Sequence, residues 1–350
     1  MKRTLATVLA LAGLLLAAPA AAEPGWPARL ESRLAAIEEA FDGELGVHVR
    51  PLAPGAPRVG WRDTEPWYLA SLVKVPVAIE LMARVEAGEL TLDQRLVLRE
   101  SDYVDGAGPT NWAEPGTPLR LGDLLVAMLT VSDNTATDML IEHLGLEAIN
   151  RRAASLVGEP QRLGPITPLV EVRRQVYGAL HPAARELTGL DFIELQKQPD
   201  DARRLAWLAR RLEVPQRALR LPSLDAAFAR YYAGGLNGGG LDVFADLLAA
   251  LAQGQALGAQ AGADLLAIMT ATASGEPRLK AGFGPGIRFA HKTGTQHRLA
   301  CDAGIASAVG EGRQLVVVAC VRGEPEVARS ERALAEIGRA IRESGLLLEP

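Results

Sequence analysis

Three alternating apolar stretches near the C-terminus narrow the folds open to this chain. Residues 287–292, 303–309 and 314–321 read as β-strands joined by short turns, the arrangement of an antiparallel sheet. Residues 45–52, near the other end, also alternate. Pro54 and Gly55 mark a turn there, before a hairpin partner over 58–62. Helical spacing brackets these strands: Leu30, Leu34 and Ile37 recur within 27–40, and 326–343 forms a terminal helix. The long middle block predicts helices over 71–87, 121–130, 135–143, 146–157, 167–180, 202–212, 225–232, 241–253 and 261–270. Residues 101–117 read as a polar loop, 234–240 as a glycine-rich turn and possible helix entry, and 282–286 as a turn before a strand. The order predicts an α+β fold, an antiparallel sheet flanked by the N- and C-terminal helices with an all-helical sub-domain inserted. The sheet sub-domain is expected over about 23–65 and 280–350, the helical one over about 66–279, and a cleft between them.

The N-terminus carries an export pattern. Lys2 and Arg3 precede an uncharged apolar run over 5–18, and Ala20, Ala21 and Ala22 supply a small-residue cleavage site. The run is short for a membrane span, and no cysteine stands at the cleavage point to carry a lipid. Cleavage near Ala22 leaves a periplasmic or secreted protein of 328 residues, with no membrane anchor and a monomer as the expected state. A net charge of −5 without a basic block argues against nucleic acid as a partner. Cys301 and Cys320 are too few for a redox or zinc motif; they can form one disulfide or stand as two buried thiols. The five histidines show no metal-ligand spacing, and no phosphate-binding loop or Gly-x-Ser-x-Gly elbow occurs, so neither metal nor cofactor is expected; His291, beside Lys292, either lines the cleft or faces the core.

Three short motifs carry the chemistry. Ser71 and Lys74 are three residues apart, so on a helix they share a face and the amine can reach the hydroxyl. A serine hydroxyl needs a base, and a lysine serves as one only when its pKa falls. Ten serines and five lysines in 350 residues yield such a pair by chance only about 0.14 times. Ser132-Asp133-Asn134 stands at a joint between two helices, where its side chains can enter a cleft or cap a helix. Lys292-Thr293-Gly294-Thr295 ends a strand; a cation, a hydroxyl and a glycine suit a carboxylate-bearing substrate whose backbone approaches closely.

Together and in this order, the three motifs resemble the signature set of class A β-lactamases and penicillin-binding proteins. The 61-residue gap from Ser71 to Ser132 is similar to that of class A enzymes. The resemblance covers most of the mature length and implies a β-lactamase/transpeptidase-like fold. It also implies roles. Ser71 attacks the lactam or ester carbonyl, Lys74 shuttles its proton, and Ser132 passes a proton to the leaving nitrogen. Asn134 bonds the substrate's amide side chain, and Asp133 is structural. Lys292 and Thr293 hold the substrate carboxylate, while the backbone N–H groups of Ser71 and Thr295 form the oxyanion hole.

One departure stands out. Class A enzymes carry Glu-x-x-Leu-Asn on a loop after the Ser-Asp-Asn helices, and that glutamate activates the deacylating water. No such segment occurs here, and Thr167 falls about where the glutamate would. Glu171 and Glu194 are the possible stand-ins, or else surface residues on helices. Ser132 and Lys292 are 160 residues apart, several dozen more than in class A enzymes, and the excess falls within 165–225. The resemblance implies a small β-lactam or a cell-wall peptide as substrate. Three functions follow: β-lactam hydrolysis with altered deacylation, a peptidoglycan D,D-peptidase or esterase, or a penicillin-binding module that turns over slowly.

Overall fold

In the computed structural model the described residues are 25–310 and 313–347, so the export pattern over 1–22 lies outside them. Helix α1 (Trp26–Ala40) is followed by strands β1 (Glu44–Pro51), β2 (Val59–Trp61) and the two-residue β3 (Trp67–Tyr68). Next come helix α2 (Lys74–Glu86), small strands β4 (Arg95–Val97) and β5 (Pro118–Arg120), and helices α3 (Leu121–Thr130), α4 (Asn134–Leu144) and α5 (Leu146–Ser155). The helical block continues with α6 (Leu169–Leu180), α7 (Gly189–Gln196), α8 (Asp201–Arg211) and α9 (Leu224–Tyr232). Strand β6 (Gly238–Gly239), then α10 (Leu241–Ala252), α11 (Ala259–Thr270) and the one-turn α12 (Leu279–Phe283) lead to β7 (Ile287–Gln296), β8 (Leu299–Ala308), β9 (Gln314–Arg322) and the terminal α13 (Val327–Glu343).

Strands β1, β2, β7, β8 and β9 form one antiparallel sheet in the order β2-β1-β9-β8-β7. Its two faces follow from the period-2 alternation of β9. Leu315, Val317, Ala319 and Val321 face α1 and α13, joining Leu30, Leu34, Leu334, Ile337 and Ile341 in one core. Val316, Val318 and Cys320 face the opposite way, into the core of the helical block. Each fully buried leucine or isoleucine on α13 stabilises this layer by about 1.5–3 kcal/mol. The chain is therefore a sheet with two terminal helices behind it and the helical block in front, and no described helix is long and apolar enough to cross a membrane.

Several local expectations are corrected. The helix expected over 71–87 starts later: Ala70–Val73 is a 3-10 turn, and the α-helix begins at Lys74. Lys292-Thr293-Gly294-Thr295 lies inside β7, which runs on to Gln296, and does not end it. The glycine run 234–240 supplies β6, which pairs with β3; a Cβ on Gly238 would lie 2.9 Å from the Trp67 carbonyl oxygen. This pairing, with the bond from Leu69 N–H to the Asn237 carbonyl (2.8 Å), fixes the stretch entering Ser71. Helices α7 and α12 and the β4–β5 hairpin went unread. Each is short, and a short apolar run carries little periodicity.

Cys301 and Cys320 face each other directly across β8 and β9, with Cα atoms 4.0 Å apart, and are joined as a disulfide. The link closes a loop of 19 residues, which restricts the unfolded chain more than the folded one. Replacing both cysteines with alanine is expected to lower unfolding free energy by about 3 kcal/mol in denaturant titration. A loss below about 1 kcal/mol would show that the link does not constrain the unfolded state as described.

Candidate active site

The site forms where the helical block meets the β7 edge of the sheet. Ser71 lies in the 3-10 turn entering α2. The residue before it, Ala70, is held at φ +48°, a left-handed conformation that non-glycine residues adopt only when the surroundings enforce it. Gly294 is one of those surroundings. A Cβ there would lie 2.8 Å from the Leu69 carbonyl oxygen and 3.0 Å from the Ala70 Cβ. The glycine therefore lets the protein's own Ser71 turn press against β7, whereas the sequence had suggested room for substrate backbone. The turn and the strand edge are thereby brought together, and with them the backbone at Ser71 and Thr295.

Ser132 has φ +61°, a second enforced left-handed residue at the site. Asp133 explains the position of its neighbours: it caps α4, accepting from Ala136 N–H at 2.8 Å and from Thr110 N–H at 2.9 Å. Asp133 is buried and acts structurally.

Lys74 and Lys292, both fully buried, meet at Ser132. Lys74 Nζ donates to the Ser132 carbonyl (2.7 Å) and Asn134 Oδ1 (2.7 Å), and lies 3.1 Å from Ser132 Oγ. Lys292 Nζ donates to the same hydroxyl at 3.0 Å and to the Thr293 carbonyl at 2.8 Å. Burial drives the Lys74 pKa down to about 7; Asp133 and Asp138 oppose the fall, and Arg173 adds to it. Burial likewise pushes Lys292 well down, with Lys74 and Arg278 reinforcing the effect. A neutral Lys74 amine has two protons for the two carbonyl-type oxygens and one lone pair for the Ser132 hydroxyl proton. No hydrogen bond joins Lys74 to Ser71 among the described residues. A resting site often tightens such contacts only when substrate binds.

The side chains beside Ser71 line a narrow, partly open cavity with about 30 Å³ of space for water-sized groups. Besides Ser71, Asn134 and Thr295, its lining includes Tyr68, Leu169, Val172, Arg173 and Gln296. Three of these lie on α6, in the segment that departs from the class A pattern. Asp138, one helical turn after Asn134, anchors that segment by accepting from Leu169 N–H (2.7 Å) and Val170 N–H (2.8 Å). Burial raises its pKa to about 6, against the lowering effect of those two bonds.

The structure sorts the remaining sequence candidates. Thr167 turns away to a reciprocal pair of bonds with Asn237, and Leu169 reaches the cavity in its place. Glu171 accepts from Gln175 on its own helix, and Glu194 is an exposed partner of Lys197; neither lines the cavity. They are surface or near-surface residues of α6 and α7, apart from the residues that line the cavity. Thr293 shares a hydrogen bond with Ser274 (2.6 Å), and Thr295 accepts from Arg278 (2.7 Å). His291 faces away from the site, fully buried, bonded to Asp302 at 2.7 Å and stacked on Phe289. Arg173, Asp138 and Arg278 were missed because their partners are remote in sequence. The one local signal was the four-residue spacing of Asp138 from Asn134, which places both on one helix face.

Comparisons with known proteins give the family and the fold. The sequence model of the beta-lactamase enzyme family matches residues 29–212 and 237–344. A β-lactamase of Rhodobacter capsulatus is 37% identical over 167 residues, which are 47% of this chain and 55% of that protein; the match thus spans about half of the relative. A β-lactamase structure from Sphaerobacter thermophilus superposes with a TM-score of 0.65 at 24% identity, covering 92% of this chain and 99% of that one. PBP-A superposes at 0.67 and 20% identity, covering 93% and 98%. An ancestral class A β-lactamase superposes at 0.66 and 24%, covering 90% and 99%. These structures share the β-lactamase/transpeptidase-like α+β fold, and by the extent of the sequence match this chain belongs to the beta-lactamase enzyme family.

Proposed function

We propose that this β-lactamase-type hydrolase works through an acyl-enzyme on Ser71 and takes β-lactams as substrates. The observation that carries the reading is the convergence of Lys74, Ser132 and Lys292 at one hydroxyl beside the Ser71 turn. Lys74, kept close to neutral by burial, takes the Ser71 proton as Oγ attacks the lactam carbonyl carbon. The C–N bond breaks, and the proton passes through Ser132 Oγ to the leaving nitrogen. Lys292 holds Ser132 in place and attracts the substrate carboxylate. The Ser71 and Thr295 backbone N–H groups receive the oxyanion, and such donors are commonly worth about 100- to 1000-fold. The export pattern at the N-terminus supports action in the periplasm or outside the cell.

One observation favours slow release of the acyl group over rapid hydrolysis. No aspartate or glutamate stands among the described residues lining the cavity. Leu169 occupies the wall from which α6 faces Ser71, so no carboxylate there can activate a water. One similar structure is a leucine-to-glutamate variant of PBP-A, seen as an acyl-enzyme with penicillin G, which supports the comparison with penicillin-binding proteins. The narrow cavity supports the same reading. The α6 side chains Leu169, Val172 and Arg173 leave little free space directly beside Ser71.

Intact-mass analysis after incubation with benzylpenicillin tests the reading. The expected result is a stable adduct of one penicillin, mapped to Ser71 and absent from Ser71→Ala. A folded protein with neither adduct nor turnover would overturn it. Leu169→Glu is expected to shorten the adduct's lifetime by about 100-fold, the lower end of one general-base contribution. An unchanged lifetime would show that the missing carboxylate is not what limits deacylation.

A further inference from the structure

Arg173 belongs to the segment that departs from the class A pattern, and it forms part of the cavity wall beside Ser71. It lies one helical turn beyond Leu169. Its Nε donates to both oxygens of Asp105, at 2.7 and 2.9 Å. Asp105 is buried, and its own backbone carbonyl accepts from Asn134 Nδ2 at 2.6 Å. Arg173 is thereby clamped to the Asn134 end of the site, whereas Lys292 and Thr293 come from β7.

The terminal nitrogens of Arg173 are the unexplained part. Among the described residues neither Nη1 nor Nη2 meets an acceptor, and neither is among the buried polar atoms without a partner. The side chain retains 11% of its exposure, and it borders the cavity. An arginine serving only to neutralise Asp105 would use two parallel bonds through its fork. Here the carboxylate takes Nε alone, so the amino groups remain available to a planar anion. Besides Asp105, the phenols of Tyr177 and Tyr68 act on it, and Arg173 in turn acts on Asp138, whose oxygens are held by α6 backbone, and on Lys74.

We propose that Arg173 is a second anion-binding residue of this site, selecting β-lactams that carry a carboxylate on the acylamido side chain. The proposal rests on the Ser71 reading, in which the Asn134 end takes that side chain and β7 takes the ring carboxylate. Such a residue makes the enzyme a discriminator between side chains that differ in charge.

Carbenicillin and benzylpenicillin differ by one side-chain carboxylate and make a matched pair of probes. Equilibrium binding of both to the Ser71→Ala protein, followed by calorimetry or NMR titration, reads the difference without a covalent step. Carbenicillin is expected to bind about tenfold tighter or more, the effect of a charge-assisted hydrogen bond pair. Arg173→Lys, which keeps a cation for Asp105 but loses the fork, is expected to bring the two drugs to within about twofold. The double change Arg173→Gln with Asp105→Asn, which leaves no unpaired buried charge, is expected to do the same, with circular dichroism confirming the fold. Equal affinities in the Ser71→Ala parent, or a carbenicillin preference that survives both variants, would overturn the proposal. Absence of a covalent adduct on the protein with Ser71 intact would instead count against the acyl-enzyme reading, and the binding comparison would still decide the role of Arg173.

Discussion

Two lysines without solvent exposure meet at the hydroxyl of Ser132, and much of the surrounding structure follows from keeping them there. Burying an ammonium group is costly unless it is hydrogen-bonded or sheds its proton. This chain uses both remedies. Acceptors surround Lys74, and burial draws its pKa to about 7. The acceptors are then fixed in turn. Asp133 caps α4 and so fixes Ser132 and Asn134, while loop backbone at Asp105 holds the Asn134 amide. Left-handed residues Ala70 and Ser132 are conformations a chain tolerates only where many contacts agree, and both lie at this junction.

The same junction explains why the sheet and the helical block must be assembled before the site exists. Ser71 comes from the 3-10 turn before α2 and Lys74 from the first residue of α2, Ser132 and Asn134 from the α3–α4 joint, and Lys292 from β7. Gly294 is the point of closest approach between turn and strand, and the β3–β6 pairing determines how the chain enters Ser71. The disulfide between β8 and β9 lies one strand behind β7.

Much of this was legible in the sequence, for identifiable reasons. The sheet strands alternate cleanly because each has a distinct core on either face, as β9 shows with Val317 and Val318 pointing to opposite sides. The three motifs were legible because their chemistry demands particular residue types in a particular order. Local boundaries were not. The delayed start of α2 is imposed by β7 packing on the Ser71 turn, a tertiary contact that propensity cannot register. Arg173 and Asp105 are 68 positions apart, and Thr167 and Asn237 are 70 apart, so neither pairing leaves a trace in local spacing. Glu171 and Glu194 had the right charge in the right stretch, yet helix phase turns them from the cavity and presents Leu169, Val172 and Arg173 instead. An apolar residue in that wall separates this chain from enzymes that place a carboxylate there, and in the proposed mechanism Lys74 carries the burden of proton transfer from Ser71.

That burden makes the protonation of Lys74 the point on which the account turns. The most direct test is the pH dependence of the second-order rate of Ser71 acylation by benzylpenicillin, followed by quenched intact mass from pH 5 to pH 10. A base whose pKa is lowered from 10.5 to about 7 is inactive while protonated, so the rate should rise through about pH 7 and level off above it. A rate still climbing tenfold per unit beyond pH 9 would show that Lys74 keeps its ordinary affinity for the proton, and would contradict the account.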